Sequence, residues 1–85
     1  MDTATFARQI RIDSIEMAHK SGISHIGSAL SCADIIAVLY HDVMRVFPDD
    51  PKNEDRDRFI LSKGHASMAQ YSALAELGFF QVNEL

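Results

Sequence analysis

The chain has 85 residues, 47% of them hydrophobic, and a formal net charge of −4 with a pI near 5.4. That length supports one small domain with a modest core. With 8 Lys+Arg against 12 Asp+Glu, no basic patch of the kind nucleic acids require is available.

The opening Met1-Asp2-Thr3-Ala4-Thr5 lacks the positive region and apolar region of a signal peptide. A helix is expected from about Thr5 to Lys20. Phe6, Ile10, Ile12, Ile15, Met17 and Ala18 approximate an apolar stripe at helical spacing, with Arg8, Arg11, Asp13 and Glu16 on the polar side. Gly22 provides the stop, and Lys20 near the end suits the negative pole of the helix dipole. Ser21 to Ser28 reads as a loop, since glycines and serines break the periodicity.

Ser31 is expected to be the N-cap of a second helix over about Cys32 to Val46, with Asp34 placed as in a capping box. Ile35, Ile36, Val38, Leu39, Val43, Met44 and Val46 make that helix apolar over most of its circumference, so burial on more than one side is expected. The run Ile35 to Tyr40 is too short to cross a bilayer. Cys32, the single cysteine, can form no internal disulfide or cysteine-rich zinc site. It reads as a small buried hydrophobe in a reducing, cytoplasmic compartment.

Phe47 to Arg56, with Pro48 and Pro51, is a turn-rich connector. Arg58 to Ser62 follows as a short strand, apolar at three consecutive positions and so suited to burial on both faces of a parallel sheet. Lys63-Gly64-His65 is a tight turn. A third helix runs from about Ser67 to Leu77, using Met68, Tyr71, Leu74, Ala75 and Leu77, and stops at Gly78. One strand is not a sheet. The fold expectation is therefore α/β, mostly helices with one short strand, and part of a larger domain; a small helical domain with Arg58 to Ser62 as linker is the alternative.

Two loops carry candidate chemistry. His25 lies ahead of a helix start, beside Gly27, which permits close backbone approach, and the hydroxyl of Ser28. Ser62-Lys63-Gly64-His65-Ala66-Ser67 joins a strand end to a helix, where open α/β sheets bind ligands. Lys63 is a cation, and His65 can donate to phosphate. Neither loop has P-loop spacing, and no metal-ligand spacing joins His19, His25, His41 and His65. His19 and His41 read as structural residues. The residues alone point no further than an anion site in an α/β domain: a lone histidine in a Ser/Gly loop is more often an ordinary turn residue, and a glycine-bearing strand–turn–helix is common where nothing binds.

Taken together, the two loops resemble the transketolase family. Ser24-His25-Ile26-Gly27-Ser28-Ala29-Leu30-Ser31 and the following Asp34-Ile35-Ile36-Ala37-Val38-Leu39-Tyr40 resemble the family's S-G-H-P-G-G-S-L-S-x-x-D-I-L-A-V-L-Y. Asp55 to Ser67 is similar to D-R-D-R-F-x-L-S-K-G-H-A-S almost residue for residue. The resemblance runs from the first helix to about Phe80. It implies that residues 1–85 are part of the N-terminal, diphosphate-binding domain, a three-layer αβα fold. It also implies thiamine diphosphate as cofactor, with Mg2+ or Ca2+ held by a Gly-Asp-Gly motif and an asparagine beyond Leu85. The implied reaction transfers a two-carbon ketol unit between sugar phosphates.

By position, His25 resembles the family's active-site histidine that reaches the substrate, with Ser28, Gly64 and His65 as cofactor-binding residues. Implied partners are the rest of the N-terminal domain and a C-terminal pyrimidine domain or subunit, forming a homodimer or heterotetramer, with no nucleic acid or membrane. The chain alone is expected to be inactive. Ile26 stands where the family has proline and Ser28 where it has the second glycine, a form closer to split or sugar-biosynthetic members; this bears on the substrate. The alternatives are a non-catalytic remnant that acts as an assembly partner and a related thiamine-diphosphate synthase, although Ser62-Lys63-Gly64-His65 differs from the usual synthase pattern.

Overall fold

The computed structural model describes residues 1–22 and 26–85. Three α-helices carry the fold: α1 (Thr3–Ser21), α2 (Ile26–Val38) and α3 (Ser67–Leu77). Asp2 caps α1, its Oδ1 accepting from the Thr5 backbone N–H at 2.8 Å; that hydrogen bond holds the Asp2 carboxyl below its ordinary value. Gly22 and Gly78 end α1 and α3 in the left-handed region, at φ 69° and 97°, a conformation other residues adopt only with strain.

α2 begins earlier than its sequence pattern suggests. Gly27 and Ser28 are helical, and Ser31 lies in the second turn, not at the cap. The Ser31 hydroxyl donates back to the Ser28 carbonyl at 3.0 Å, a local bond serine also makes inside helices. Asp34 is drawn away to Arg11 of α1 at 2.8 Å. At its other end α2 passes into a π-helical turn, Leu39–Val43, and Met44 is already extended. The helix thus ends short of Val46.

α1 and α2 run antiparallel. Arg11 meets Asp34, Phe6 stacks at a tilt on His41 with ring centroids 5.2 Å apart, and Thr3 bonds to His41 and Asp42. α3 lies antiparallel to α1, with Ser72 donating to Asp13 at 2.8 Å. It meets the far end of α2 where Gln70 donates to the Tyr40 hydroxyl at 3.1 Å. The core joins Phe6, Ile10 and Met17 of α1 to Ala29, Ala33, Ile36 and Ala37 of α2, and to Met68, Ala69 and Ala73 of α3. Alanines at the seam let the backbones approach closely, and the larger Phe6, Ile10 and Ile36 fill the remaining volume.

The apolar stripe of α1 is rotated relative to the sequence reading. Ile12 and Ile15 are exposed, while Asp13 and Ser14 are buried. α2 buries one face only: Ile35 is 62% exposed and Val38 44%. By length and composition alone Ile26–Val43 could span a membrane. Its alanine face packs on α1 and α3, as in a core helix.

Arg58 to Ser62 is extended, but no strand occurs among the described residues, so the expected strand is not seen. Its apolar residues do not bury on two faces. Phe59 is half-buried against Tyr40, with ring centroids 5.6 Å apart, and Ile60 is 88% exposed. A strand needs a hydrogen-bonding neighbour, and none of the described segments provides one. The connector before it is a run of turns closed by Phe47–Asp50, Asp50–Asn53 and Asn53–Arg56 hydrogen bonds. Its ends are clasped where the Arg45 N–H donates to the Asp57 side chain at 2.6 Å and the Asp57 N–H to the Arg45 carbonyl at 2.8 Å. The first of these bonds holds the Asp57 carboxyl below its ordinary value.

Ile10 is fully buried, and Ile35 is not. Ile10→Ala is expected to destabilise the chain by about 2–5 kcal/mol, whereas Ile35→Ala stays within about 0.5 kcal/mol. Urea unfolding followed by circular dichroism separates them; equal losses would mean that α2 buries both faces.

Candidate functional site

The sequence marks two loops, and the fold decides whether they meet. His25 lies outside the described residues. Ser28 stands in the first turn of α2, half-buried. Its carbonyl accepts from the Ser31 hydroxyl and, at 3.4 Å, from the Cys32 thiol. Cys32 is only half-buried, where its sequence context implies full burial; it packs against the edge of the core while its thiol hydrogen-bonds within α2.

The second loop forms a 3-10 turn, Gly64–Ala66, which leads directly into α3. The turn closes when the Ala66 N–H donates to the Lys63 carbonyl at 2.9 Å. Ala66 is fully buried beneath it, while Lys63, Gly64 and His65 are exposed. The turn is anchored from below and presents its polar residues outward.

Lys63 ties the second loop to α2. Lys63 Nζ donates to Ser31 Oγ at 2.7 Å, and Ser31 Oγ donates to the Ser28 carbonyl. The polar chain Lys63–Ser31–Ser28 therefore sets the Gly64–Ala66 turn beside the first turns of α2. The sequence marks Lys63 as a cation but casts Ser31 as a cap; the bridge between them is visible only in three dimensions. A Cβ added at Gly27 or Gly64 would meet nothing within 4 Å, so open space lies beside both glycines. Among the described residues, no group of three His, Cys, Asp or Glu side chains is placed to hold a metal ion.

Two other features are separate from this region. Thr3, His41 and Asp42 bring a hydroxyl, an imidazole and a carboxylate together, but His41 Nδ1 faces both Thr3 (3.1 Å) and Asp42 (3.1 Å). A relay requires the two ring nitrogens to serve different partners. The cluster is a tie between the start of α1 and the π turn, and the Thr3 hydroxyl holds the Asp42 carboxyl below its ordinary value. A groove of about 300 Å³ lies between the end of α1 and the start of α3, lined by Met17, Ser21, Ser67, Met68, Tyr71 and Phe80, among others. Ser28, Gly64 and His65 do not line it.

Residues 2–85 match the family model described as "Transketolase, thiamine diphosphate binding domain". The chain belongs to the transketolase family. It is 48% identical over 65 residues to one subunit of the apulose-4-phosphate transketolase of Phocaeicola vulgatus, covering 76% of this chain and 23% of that protein. It is 44% identical over 79 residues to the transketolase of Homo sapiens, covering 93% of this chain and 13% of the human protein. To the 6-deoxy-6-sulfo-D-fructose transketolase subunit SqwG of a Clostridium species it is 40% identical over 79 residues, covering 93% of this chain and 29% of that protein. The chain thus spans less than a third of the length of each of these relatives. Its similarity includes both motif loops.

The Lys63–Ser31 bond is exposed and should contribute little to global stability, within about 0.5 kcal/mol. Its expected effect is local. Lys63→Met should speed amide exchange at His65 and Ala66 while leaving the unfolding midpoint in place. Unchanged exchange would mean that the turn holds its position through its own backbone bond alone.

Proposed function

We propose that this chain is the N-terminal part of a thiamine-diphosphate-dependent, cytoplasmic transketolase-like enzyme that transfers a two-carbon ketol unit between sugar phosphates. The observation that supports the reading is the Lys63–Ser31 bond, which sets the Gly64–Ala66 turn of one family motif beside the α2 residues of the other. The donor set suits a diphosphate: the Ser28 hydroxyl, the Lys63 ammonium and the His65 imidazole N–H, with open space beside Gly64 and Gly27. The cofactor, when bound, supplies the carbon nucleophile. His65 and Ser28 bind and orient its anionic end, and Gly64 leaves room for it. His25 reaches the substrate hydroxyls and moves a proton there.

The metal ion, Mg2+ or Ca2+, would be held by residues beyond Leu85. The aminopyrimidine would be held by a second domain or by a separate polypeptide, and the complete assembly would be a homodimer or heterotetramer. Relatives that are themselves subunits, in Phocaeicola vulgatus and Clostridium, support the divided arrangement. Arg58 to Ser62 would become a strand of the three-layer αβα domain once a neighbouring strand pairs with its backbone, with Ile60 covered by one of the helical layers. The 85 residues alone would be inactive, because the metal site and the pyrimidine domain are supplied elsewhere.

In the complete enzyme, His65→Ala should weaken apparent thiamine diphosphate affinity by about one to two orders of magnitude, the value of one charge-assisted hydrogen bond of about 1.5–3 kcal/mol. Cofactor titration by isothermal calorimetry measures this directly. Wild-type affinity in the mutant would remove His65 from the site.

His25→Ala should act on turnover instead, lowering kcat by about 10²–10⁴ with cofactor affinity nearly unchanged. Steady-state assays with a ketose phosphate donor and an aldose acceptor test it, and an unaltered kcat would return His25 to an ordinary loop residue.

A further inference from the structure

A buried polar contact joins α1 to α3. Asp13 is 3% exposed and Ser72 is fully buried. Ser72 Oγ donates to Asp13 Oδ2 at 2.8 Å, and Gln9 Nε2 donates to Asp13 Oδ1 at 2.9 Å. Gln9 lies one turn before Asp13 on α1, so it orients the carboxyl from its own helix, and Ser72 reaches the same carboxyl from α3. Each carboxyl oxygen therefore has a donor, as burial of a polar group requires.

The remainder of the α3 face in the core is Met68, Ala69 and Ala73. Apolar burial is non-directional, and small alanine side chains give a helix face little relief to lock its register. A hydrogen bond to a buried carboxyl is directional. Sliding α3 by one residue would turn Ser72 by about 100° away from Asp13 and leave a buried oxygen without its donor. Setting register is the best-attested use of such a contact. Gln70, also on α3, supplies a second tie by donating to the Tyr40 hydroxyl at 3.1 Å. Residues 70 and 72 project about 200° apart around a helix. The two ties therefore fix α3 in rotation as well as along its axis.

The Gly64–Ala66 turn is continuous with α3. The Ser67 N–H donates to the Gly64 carbonyl, and the Ala66 N–H to the Lys63 carbonyl. Ser72 lies about 9 Å along the helix axis from Ala66, so a shift or rotation of α3 is passed on to His65. We propose that Asp13 and Ser72 are positioning residues: their hydrogen bond sets where the Gly64–Ala66 turn, and with it His65, stands beside α2. The consequence for the cofactor rests on the proposed thiamine diphosphate reading; the placement of the turn does not.

Ser72→Ala removes the donor with little change in volume and tests the tie. Ile36→Val, at a position of α2 that is 1% exposed, weakens the core without touching the tie and serves as the control. In the whole chain, the carbon-13 signals of the His65 ring and the amide signals of Ala66 and Ser67 should shift in Ser72→Ala and hold in Ile36→Val. In the complete enzyme, Ser72→Ala should weaken thiamine diphosphate binding by about three- to tenfold, less than removal of His65 itself, with kcat at saturating cofactor unchanged. In a His65→Ala background, Ser72→Ala should add nothing. His65 signals that stay in place in Ser72→Ala, or that move as far in Ile36→Val, would overturn the inference. So would a loss of affinity of equal size with and without His65, or wild-type affinity in Ser72→Ala where His65→Ala alone weakens binding. If His65→Ala leaves affinity intact, the cofactor role of His65 falls, and the His65 signals decide the placement by themselves.

Discussion

The alanine face of α2 is the constraint on which the rest of this structure depends. Ala29, Ala33 and Ala37 are fully buried, and they lie four residues apart on one side of the helix. A seam of such small side chains lets α1 and α3 approach α2 closely. Phe6, Ile10 and Ile36, buried beside it, contribute about 1.5–3 kcal/mol each by leaving water. Larger residues along that face would push the helices apart. The Lys63–Ser31 bond and the Gln70–Tyr40 bond would then both be out of reach.

This packing places the turn that carries Lys63, Gly64 and His65. Ala66 is buried directly under the Gly64–Ala66 turn, so the turn is seated by the same core that fixes α2. Lys63 then needs only to lean onto Ser31 to complete the junction. The arrangement is a packed helical floor with the polar groups of the candidate site exposed on a short turn above it. The family match over residues 2–85 covers this whole unit, both floor and loops.

The outer surface has a different logic. Ile35, Val38, Val43 and Ile60 stand exposed, and Arg58 to Ser62 is extended without a hydrogen-bonded neighbour strand among the described residues. The sequence pattern expects these apolar groups to be covered and this segment to be paired. Both expectations concern what would lie against the outer faces of α2 and the extended segment, and the chain spans less than a third of the length of its bacterial and human relatives.

The sequence by itself determined that three helices form, where α1 and α3 stop and where the turn before α3 lies, because those depend on neighbours in the chain; it misplaced both ends of α2. Gly22 and Gly78 end helices by backbone freedom alone, and α3 spans Ser67–Leu77 as its spacing indicates. The family resemblance rested on the residues from Ser24 to Tyr40 and from Asp55 to Ser67. What depends on distant partners was decided only by tertiary structure. Ser31 reads locally as a cap and becomes a helical residue that receives Lys63, from 32 positions away. Asp13 reads as part of a polar face and becomes buried because Ser72, 59 positions on, supplies a donor. Arg58 to Ser62 has the composition of a strand, but a strand is a relation between two segments, and hydrogen-bonding partners cannot be read from one of them.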